Sequence, residues 1–338
     1  MAVAILAHER FPDHAKTAVG ILRYSDRDVV AVIDRAHAGE RVAEHLPDVQ
    51  DAPIVEGVDD ITADIDELLI GIAPIGGGFE ESWRPDVRAA LKRGADVTAG
   101  LHYLLNDDEE FAALAEANNC TLRDVRDPPA DLSVANGTAG NVDATVIATV
   151  GTDCSVGKMT TTMELVDALR AKGYDAAAVP TGQTGVMIEG WGVVVDRVIG
   201  DFLNGAVEQM VTEAAADHDV LVVEGQGTIV HPAYSAVTCG ILHGAMPDAL
   251  VLCHEAGRET IHGYSAFDLP PVETYVDLYE SLAAPVAEAE VAAGMLNTRA
   301  IESDAAAREA VDAYAEAIDA PASDPLRSDL TESIEALL

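Results

Sequence analysis

Positive charge is scarce in this sequence. Twenty Lys and Arg residues stand against 59 Asp and Glu residues, which gives a net charge of −39, and lysine occurs only at Lys16, Lys92, Lys158 and Lys172. Such a surface repels polyanions, so nucleic acid is excluded as a partner. Concentrated salt would screen the self-repulsion of the surface. The composition therefore predicts a salt-rich cytoplasm, as in a halophilic archaeon, with an acidic protein of an ordinary cell as the alternative.

Long apolar runs, paired cysteines and the pattern of a signal peptide are also lacking. No stretch reaches the roughly 18 apolar residues of a membrane span, and the start MAVAILAHERFPD lacks the basic region and cleavage site of a signal peptide. The four cysteines, Cys120, Cys154, Cys239 and Cys253, form no CxxC pair, so reduced thiols are expected. We therefore expect a cytoplasmic protein without membrane contact.

Aromatic residues make up only 4% of the chain, but apolar residues make up 49%, which excludes a disordered chain. At 338 residues, two domains are expected. Short apolar runs alternate with helical periods in both halves, as in parallel strands joined by crossover helices. Pro, Gly, Asn and Ser cluster at 126–141 without periodicity. The sequence predicts an α/β protein with a Rossmann-like domain at 1–138 and a P-loop NTPase-like domain with a mainly parallel sheet at 139–338.

A phosphate-binding loop is predicted at the start of the second domain. The string TVIATVGTDCSVGKMTTTMELVDALRAKG places an apolar strand, a glycine-bounded loop and a helix in succession, which is the context a P-loop requires. Its glycines would turn successive N–H groups inward, and its lysine would face the terminal phosphate. A tight turn with a surface lysine is the alternative. The expected cofactor-binding residues are Gly151, Thr152, Asp153, Cys154, Ser155, Val156, Gly157, Lys158, Met159 and Thr160, with Asn297, at the end of a later strand, as an adenine-reading amide.

The position after the P-loop lysine departs from the common pattern. It is normally Ser or Thr, which ligates Mg²⁺, but here it is Met159, and Thr160 follows one residue later. One residue turns a side chain by about 100° around a helix. Capture of a diphosphate is therefore favoured over hydrolysis of a triphosphate. Thr160 and Glu224 are expected to hold a metal only if the ligand is ATP with Mg²⁺.

Candidate catalytic and substrate-binding residues follow strand ends, where ligands bind in parallel sheets. The string HDVLVVEGQGTIVHP carries an apolar strand into Glu224, with His231 in the same loop. These two are the predicted catalytic residues; a helix-capping acid and an ordinary hydrogen-bonded histidine are the alternatives. In the first domain, Gly76–Gly78 follows a strand as either a ligand-binding rim or a flexible loop. Thr181, Gln183 and Thr184, in the PTGQTG loop after a strand, are predicted to bind substrate, with an ordinary turn as the alternative. Arg197 and Arg258 are predicted as the cationic partners of the substrate carboxylates.

Several strings resemble known proteins. GTDCSVGKMTT is similar to the P-loop of dethiobiotin synthetase and related ATP-dependent amidoligases. The whole chain more closely resembles a prokaryotic two-domain family, long of unknown function, with GTDC-x-VGKMTT, PTGQTG and VEGQG-like segments. All three are present here, together with GIAPIGGG in the first domain. Members of that family have been assigned as D-glutamate N-acetyltransferases that act with an enolase-type epimerase or racemase in D-amino-acid breakdown.

This resemblance implies a small-molecule substrate and acetyl transfer from acetyl-CoA to the amine of D-glutamate or a close relative. Coenzyme A carries an ADP-like diphosphate that a P-loop can hold. We also expect a homo-oligomer. Two other hypotheses stay open: an ATP- and Mg²⁺-dependent ligase that activates a carboxylate, and a regulatory protein controlled by a nucleotide.

Overall fold

The structure is a computed structural model that describes residues 1–72, 74 and 77–338. The chain divides into two compact units. Unit 1 contains Met1–Pro128 and Gln183–Arg197, and unit 2 contains Pro129–Gly182 and Val198–Leu338. The chain thus first changes unit after Pro128, whereas the sequence predicts a boundary near residue 138. A segment from the second half of the sequence also belongs to the first unit.

Unit 1 is built on a six-stranded sheet. Its strands are β1 (Ala2–Leu6), β2 (Asp28–Ile33), β3 (Ile54–Val55), β4 (Glu67–Ile70), β5 (Asp96–Ala99) and β6 (Leu122–Asp124). Neighbouring strands are parallel. The order β3-β2-β1-β4-β5-β6 is that of a doubly wound Rossmann fold, in which ligands bind at the carboxyl ends of the strands.

Unit 2 contains a second six-stranded parallel sheet and a small hairpin. Its strands are β7 (Thr145–Gly151), β8 (Ala176–Val179), β9 (Val220–Val223), β10 (Ala249–Glu255), β11 (Thr260–Ile261), β12 (Tyr264–Asp268), β13 (Glu290–Asn297) and β14 (Ala322–Ser323). The sheet has the order β14-β13-β10-β7-β9-β8, while β11 and β12 pair antiparallel. The P-loop strand β7 is therefore central. The two parallel sheets confirm the predicted α/β class.

Ten α-helices accompany these strands in the described part of the chain. None of them, within those residues, has the length and apolar character of a bilayer-spanning helix. The helices are α1 (Lys16–Tyr24), α2 (Arg84–Lys92), α3 (Glu109–Asn118), α4 (Lys158–Ala171), α5 (Gln183–Glu189), α6 (Gly200–Ala214), α7 (Ser235–Ala245), α8 (Val272–Ala283), α9 (Asp304–Ile318) and α10 (Thr331–Leu337).

Two glycine-containing segments of unit 1 carry predictions, and the structure contradicts the first of them. The pattern at 39–46 predicts a helix, but the structure has only a 3₁₀ turn at Val42–Glu44, since Gly39 adopts a left-handed φ of +96° and Arg41 is extended, with φ −120° and ψ 152°. Of the predicted rim at Gly76–Gly78, Gly76 lies outside the described residues. Gly77 also has a positive φ, +62°, and a Cβ there would lie 2.3 Å from the ring of His102.

After the chain enters unit 2, the segment 133–138 packs closely against helix α6. The Glu208 carboxylate accepts hydrogen bonds from the N–H groups of Asn136 at 2.7 Å and Thr138 at 2.6 Å. Desolvation raises the pKa of Glu208, but these N–H groups outweigh it and the pKa is lowered. One turn earlier, a Cβ on Gly205 would lie 1.9 Å from the Ser133 carbonyl oxygen. The close packing therefore requires glycine at this position.

Replacing Gly205 by Ala should lower the free energy of unfolding by about 1–3 kcal/mol, because the added methyl group pushes two backbones apart. Denaturant unfolding in concentrated KCl measures the change. Gly200→Ala, at the start of the same helix, is the matched control, because a Cβ there meets no described atom within 4 Å. If both variants are as stable as the parent, the close packing does not constrain the fold.

Candidate functional site

The turn between β7 and α4 has the backbone of an anion-binding loop. Gly157 adopts φ = +111° and Ser155 φ = +59°, so the chain curls in the left-handed region that favours glycine. In the described part of the chain, the N–H groups of Ser155, Val156 and Gly157 donate to no protein acceptor, and helix α4 begins without a side-chain cap. Uncapped N–H groups at a helix start, added to the positive end of the helix dipole, attract a phosphate.

Lys158 lies inside this loop. Its side chain is only 7% exposed, and its Nζ donates to the Asp153 carbonyl oxygen at 2.7 Å. A Cβ on Gly151 would lie 3.0 Å from Nζ, and one on Gly225 would lie 3.3 Å from Cδ. Glycines on two strand ends thus make room for the lysine. The structure contradicts the alternative of a surface lysine.

Neighbouring elements hold the loop in place. The Tyr279 hydroxyl, from α8, donates to the Gly151 carbonyl at 2.7 Å and accepts the Ile229 N–H at 3.2 Å. Burial raises the pKa of Tyr279 to about 12, so it stays protonated. Thr152 Oγ1 lies 2.7 Å from His254 Nδ1, and burial lowers the pKa of His254 to about 4. At neutral pH this histidine is therefore an uncharged partner.

A buried carboxylate connects the P-loop with the hairpin region. Asp153 has no exposed surface. Its oxygens accept the N–H groups of Cys154 and His262, both at 2.7 Å, and Arg258 Nη1 at 3.3 Å. Arg258 also pairs with Glu255. Arg258, predicted to bind substrate, is therefore already engaged by two carboxylates.

Glu224 stands at the end of β9, the strand beside β7, and is only 2% exposed. Its Oε2 accepts the N–H groups of Thr181 at 3.3 Å and Gly182 at 3.1 Å, while Thr181 Oγ1 donates to the Glu224 carbonyl. Glu224, a predicted catalytic residue, and Thr181, a predicted substrate-binding residue, thus contact each other. Because the two N–H groups precede helix α5, Glu224 also anchors that turn, in line with the alternative of a capping acid.

His231 is buried, at 1% exposure, and its hydrogen bonds fix its tautomer. Nδ1 accepts the Ala233 N–H at 3.1 Å, so the neutral ring carries its proton on Nε2. That Nε2 is buried and has no partner among the described residues. A buried donor without an acceptor is costly, so His231 Nε2 is a candidate hydrogen-bond donor to a ligand oxygen.

The structure brings His231 to the P-loop. Ligating atoms of Asp153, Cys154 and His231 lie within 4.8 Å of one another. Such a group can hold a metal ion, but Nε2 binds a metal only after it loses its proton, and Nδ1 is occupied by a backbone donor. The observed hydrogen bonds therefore favour a donor role for His231.

Two aromatic rings contact the ring of His231. Tyr234 stacks on it with ring centroids 4.6 Å apart, and Tyr264 meets it edge-on at 5.1 Å. Tyr234 and Phe267 are each 50% exposed and Tyr264 is 38% exposed. The rings adjoin one another, and an exposed apolar patch of this kind is typical of a ligand surface. Sequence reasoning missed Tyr264 and Phe267; the aromatic pair in YSAF, next to a glycine, is the signal that could have found them.

The remaining P-loop candidates flank this centre. Met159 is buried at 5% exposure, whereas Thr160 is partly exposed. Asn297 ends strand β13, and its Cβ lies 4.0 Å from where a Cβ of Gly157 would stand. Its Oδ1 accepts the Arg299 N–H at 3.1 Å. Asn297 is therefore adjacent to the loop, as its predicted role requires.

Three predicted substrate residues belong to unit 1. Gln183 Oε1 accepts a hydrogen bond from Arg126 Nη2 at 2.7 Å, and Thr184 Oγ1 lies 2.9 Å from Thr17 Oγ1. Arg197 donates to a backbone carbonyl at 3.4 Å. Each of the three has a protein partner within that unit.

Comparison with known proteins identifies the family. Residues 133–334 match the P-loop domain, and residues 35–128 the Rossmann-like domain, of the family described as a domain of unknown function, DUF1611. The chain belongs to the DUF1611 family. A crystal structure of a DUF1611 family protein from Anabaena variabilis has a TM-score of 0.93 and 36% sequence identity, and covers 99% of this chain and 98% of that one. The two predicted domain types are confirmed.

Two curated relatives are named D-glutamate N-acetyltransferase. The protein from Tritonibacter scottomollicae is 41% identical over 216 residues, which is 64% of this chain and 64% of the relative. The protein from Pseudoalteromonas sp. is 38% identical over 212 residues, 62% of this chain and 63% of the relative. The chain thus spans just under two thirds of the length of the curated relatives it matches. These matches confirm the family resemblance found in the sequence strings.

Tyr279→Phe should lower the free energy of unfolding by about 1–3 kcal/mol, because the buried Gly151 carbonyl and Ile229 N–H lose their partner. Thermal unfolding followed by circular dichroism measures the effect. Tyr275→Phe is the matched control one turn earlier in α8. The Tyr275 hydroxyl is buried and has no partner among the described residues, so its removal should be neutral or stabilising. Equal losses from both variants would contradict a specific role for the Tyr279 hydrogen bonds.

Proposed function

We propose that this protein is an N-acetyltransferase that transfers the acetyl group of acetyl-CoA to the amine of D-glutamate. The observation that carries this proposal is the placement of a buried imidazole donor, His231 Nε2, beside an anion-binding loop with a buried lysine. The names of the two curated relatives support it. The proposal requires a phosphate-binding subsite and an oxyanion donor, and the P-loop and His231 of unit 2 would supply them.

The P-loop amides and Lys158 would bind the diphosphate of coenzyme A. In a buried, low-dielectric loop, one ammonium group attracts phosphate more strongly than it would at the surface. The exposed rings of Tyr234 and Tyr264 stand beside His231 and would supply apolar surface for the pantetheine arm. Asn297, next to Gly157, would read the adenine.

Acetyl transfer requires that the amine nitrogen attacks the thioester carbonyl, that the thiolate of CoA leaves, and that a base takes the amine proton. Negative charge develops on the carbonyl oxygen, and a preorganised donor stabilises it. His231 Nε2–H would be that donor, because its Nδ1 is held as an acceptor by Ala233. Glu224 would accept the proton through Oε1, since Oε2 is held by two backbone N–H groups.

The two carboxylates of D-glutamate need a cationic partner. In unit 2, Arg258 stands next to Asp153, one of the two residues whose ligating atoms cluster with His231. A substrate carboxylate would replace one of the two acidic partners of Arg258 in a bidentate pair. We therefore retain Arg258 as the substrate-carboxylate residue of unit 2.

One observation favours the ATP-dependent ligase as a second candidate. Glu224 ends the strand adjacent to β7, where P-loop enzymes place an acid that ligates Mg²⁺ or positions water. Thr160 and Glu224 would then share the metal. Met159, buried at the position that usually ligates Mg²⁺, weighs against it.

His231→Asn should lower kcat for acetyl transfer by about 10²–10³, the usual cost of losing one oxyanion donor. Asparagine keeps an acceptor near the Nδ1 position but has no group near Nε2. His231→Gln places an amide N–H near Nε2 and should recover part of the rate. Release of the CoA thiol with D-glutamate as acceptor, with the product identified by mass spectrometry, gives the rates. Full activity of His231→Asn would contradict the proposed donor.

Thr160→Ala separates the two enzyme candidates. Under acetyl transfer, its affinity for acetyl-CoA and its turnover without added Mg²⁺ should equal those of the parent protein, because no metal is needed at Thr160. Under the ligase reaction, the variant should lose affinity for ATP–Mg²⁺. Calorimetric titration with each ligand in concentrated KCl measures both. Tight ATP–Mg²⁺ binding by the parent, without a response to acetyl-CoA, would replace the acetyltransferase with the ligase.

A further inference from the structure

A cluster of metal-ligating side chains lies in unit 1, in the irregular segment between β2 and β3. Ligating atoms of His37, Glu40 and His45 lie within 4.8 Å of one another. His45 Nε2 is 2.7 Å from Glu40 Oε2, and the two imidazole rings are 4.6 Å apart at an interplanar angle of 77°. Two imidazoles and one carboxylate from a single short segment thus converge on one point.

Buried Asp34, at the end of β2, orients the first histidine. It has no exposed surface, and its Oδ1 accepts the N–H groups of Glu9 at 2.6 Å and Ala36 at 3.2 Å. Its Oδ2 lies 2.8 Å from His37 Nδ1. Because a carboxylate can only accept this hydrogen bond, His37 carries its proton on Nδ1 and has its lone pair on Nε2. A carboxylate behind a histidine is the usual second-layer partner of a metal-binding imidazole.

The second histidine is also positioned by the fold. The ring of Phe11 meets the ring of His45 edge-on, with centroids 5.8 Å apart. The segment itself contains one 3₁₀ turn, Val42–Glu44, and an isolated bridge between Arg41 and Pro53. Contacts with other parts of unit 1, rather than a long helix or strand, therefore place these two imidazoles.

We propose that His37, Glu40 and His45 bind a divalent transition-metal ion, Zn²⁺ above all, which fastens the segment between β2 and β3. Two histidines and one carboxylate form a donor set that zinc takes in proteins, with water in the fourth position, whereas Mg²⁺ and Ca²⁺ prefer oxygen ligands alone. Tetrahedral ligands about 2.1 Å from the ion stand about 3.4 Å apart. His45 Nε2 donates its hydrogen bond to Glu40 Oε2, because the carboxylate can only accept, so Zn²⁺ binding releases that proton and moves these two atoms apart. All three side chains are at least partly exposed, so small rotations allow this change. The site shares no residue with the P-loop, so the proposal is independent of the acetyl transfer.

Calorimetric titration of the full-length, metal-stripped protein with Zn²⁺ in concentrated KCl tests the site, with Co²⁺ as a spectroscopic probe. We expect one Zn²⁺ per chain and the visible absorption of tetrahedral Co²⁺. His37→Gln and His45→Gln should each weaken Zn²⁺ binding at least tenfold and abolish the Co²⁺ spectrum. Asp34→Asn should weaken it about 10- to 100-fold, the usual effect of losing a second-layer partner. Mg²⁺ should not compete.

His14→Gln is the matched control, because His14 is exposed in the same unit and outside the cluster. It should bind Zn²⁺ like the parent protein, which separates the site from weak binding by surface carboxylates. Zn²⁺ should also raise the unfolding temperature of the parent and of His14→Gln, but not of His37→Gln, while all three should unfold alike without metal. Absence of stoichiometric binding, or equal binding by the two cluster variants and the parent, would overturn the proposal.

Discussion

One buried lysine and the loop around it organise the candidate site. The protein carries 39 net negative charges, yet it holds the ammonium of Lys158 at 7% exposure inside a curl of backbone amides. Charge attraction strengthens where water is excluded, so this loop is the proposed anion site within an acidic protein. Two hydrogen bonds hold the start of the loop: the Tyr279 hydroxyl donates to the Gly151 carbonyl, and Thr152 Oγ1 pairs with His254 Nδ1. Because the loop is held by its neighbours, a ligand meets donors that are already in position.

Asp153 connects the loop with the residues of the proposed reaction. Its carbonyl holds Lys158, its carboxylate holds Arg258 and the hairpin at His262, and it lies in the same cluster as His231. In the proposed reaction, His231 acts as a hydrogen-bond donor, because its Nδ1 accepts the Ala233 N–H, and Glu224 accepts the proton. The proposed reaction therefore separates the group that stabilises the oxyanion from the group that accepts the proton.

The parallel sheets and the P-loop could be predicted because their signals are local: a buried strand, a glycine-bounded turn and a helix follow one another in sequence. Other features depend on distant partners. PTGQTG has the composition of a turn, but α5 begins at Gln183, where Arg126 and Thr17 bind its first residues. The Tyr279 anchor lies 128 positions from its Gly151 acceptor. No local pattern could reveal that pairing. The convergence of His37 and His45 was equally hidden, because the pattern at 39–46 predicts a helix that the structure does not contain.

The central claim is that Lys158 and the loop amides bind the diphosphate of a coenzyme. Calorimetry of the parent protein and Lys158→Ala with acetyl-CoA and with S-acetylpantetheine, which lacks the diphosphate, tests it most directly. The variant should lose about 10- to 100-fold in affinity for acetyl-CoA, the value of a charged hydrogen bond, and its affinity for S-acetylpantetheine should not change. An equal loss for both ligands, or no loss for acetyl-CoA, would contradict the claim.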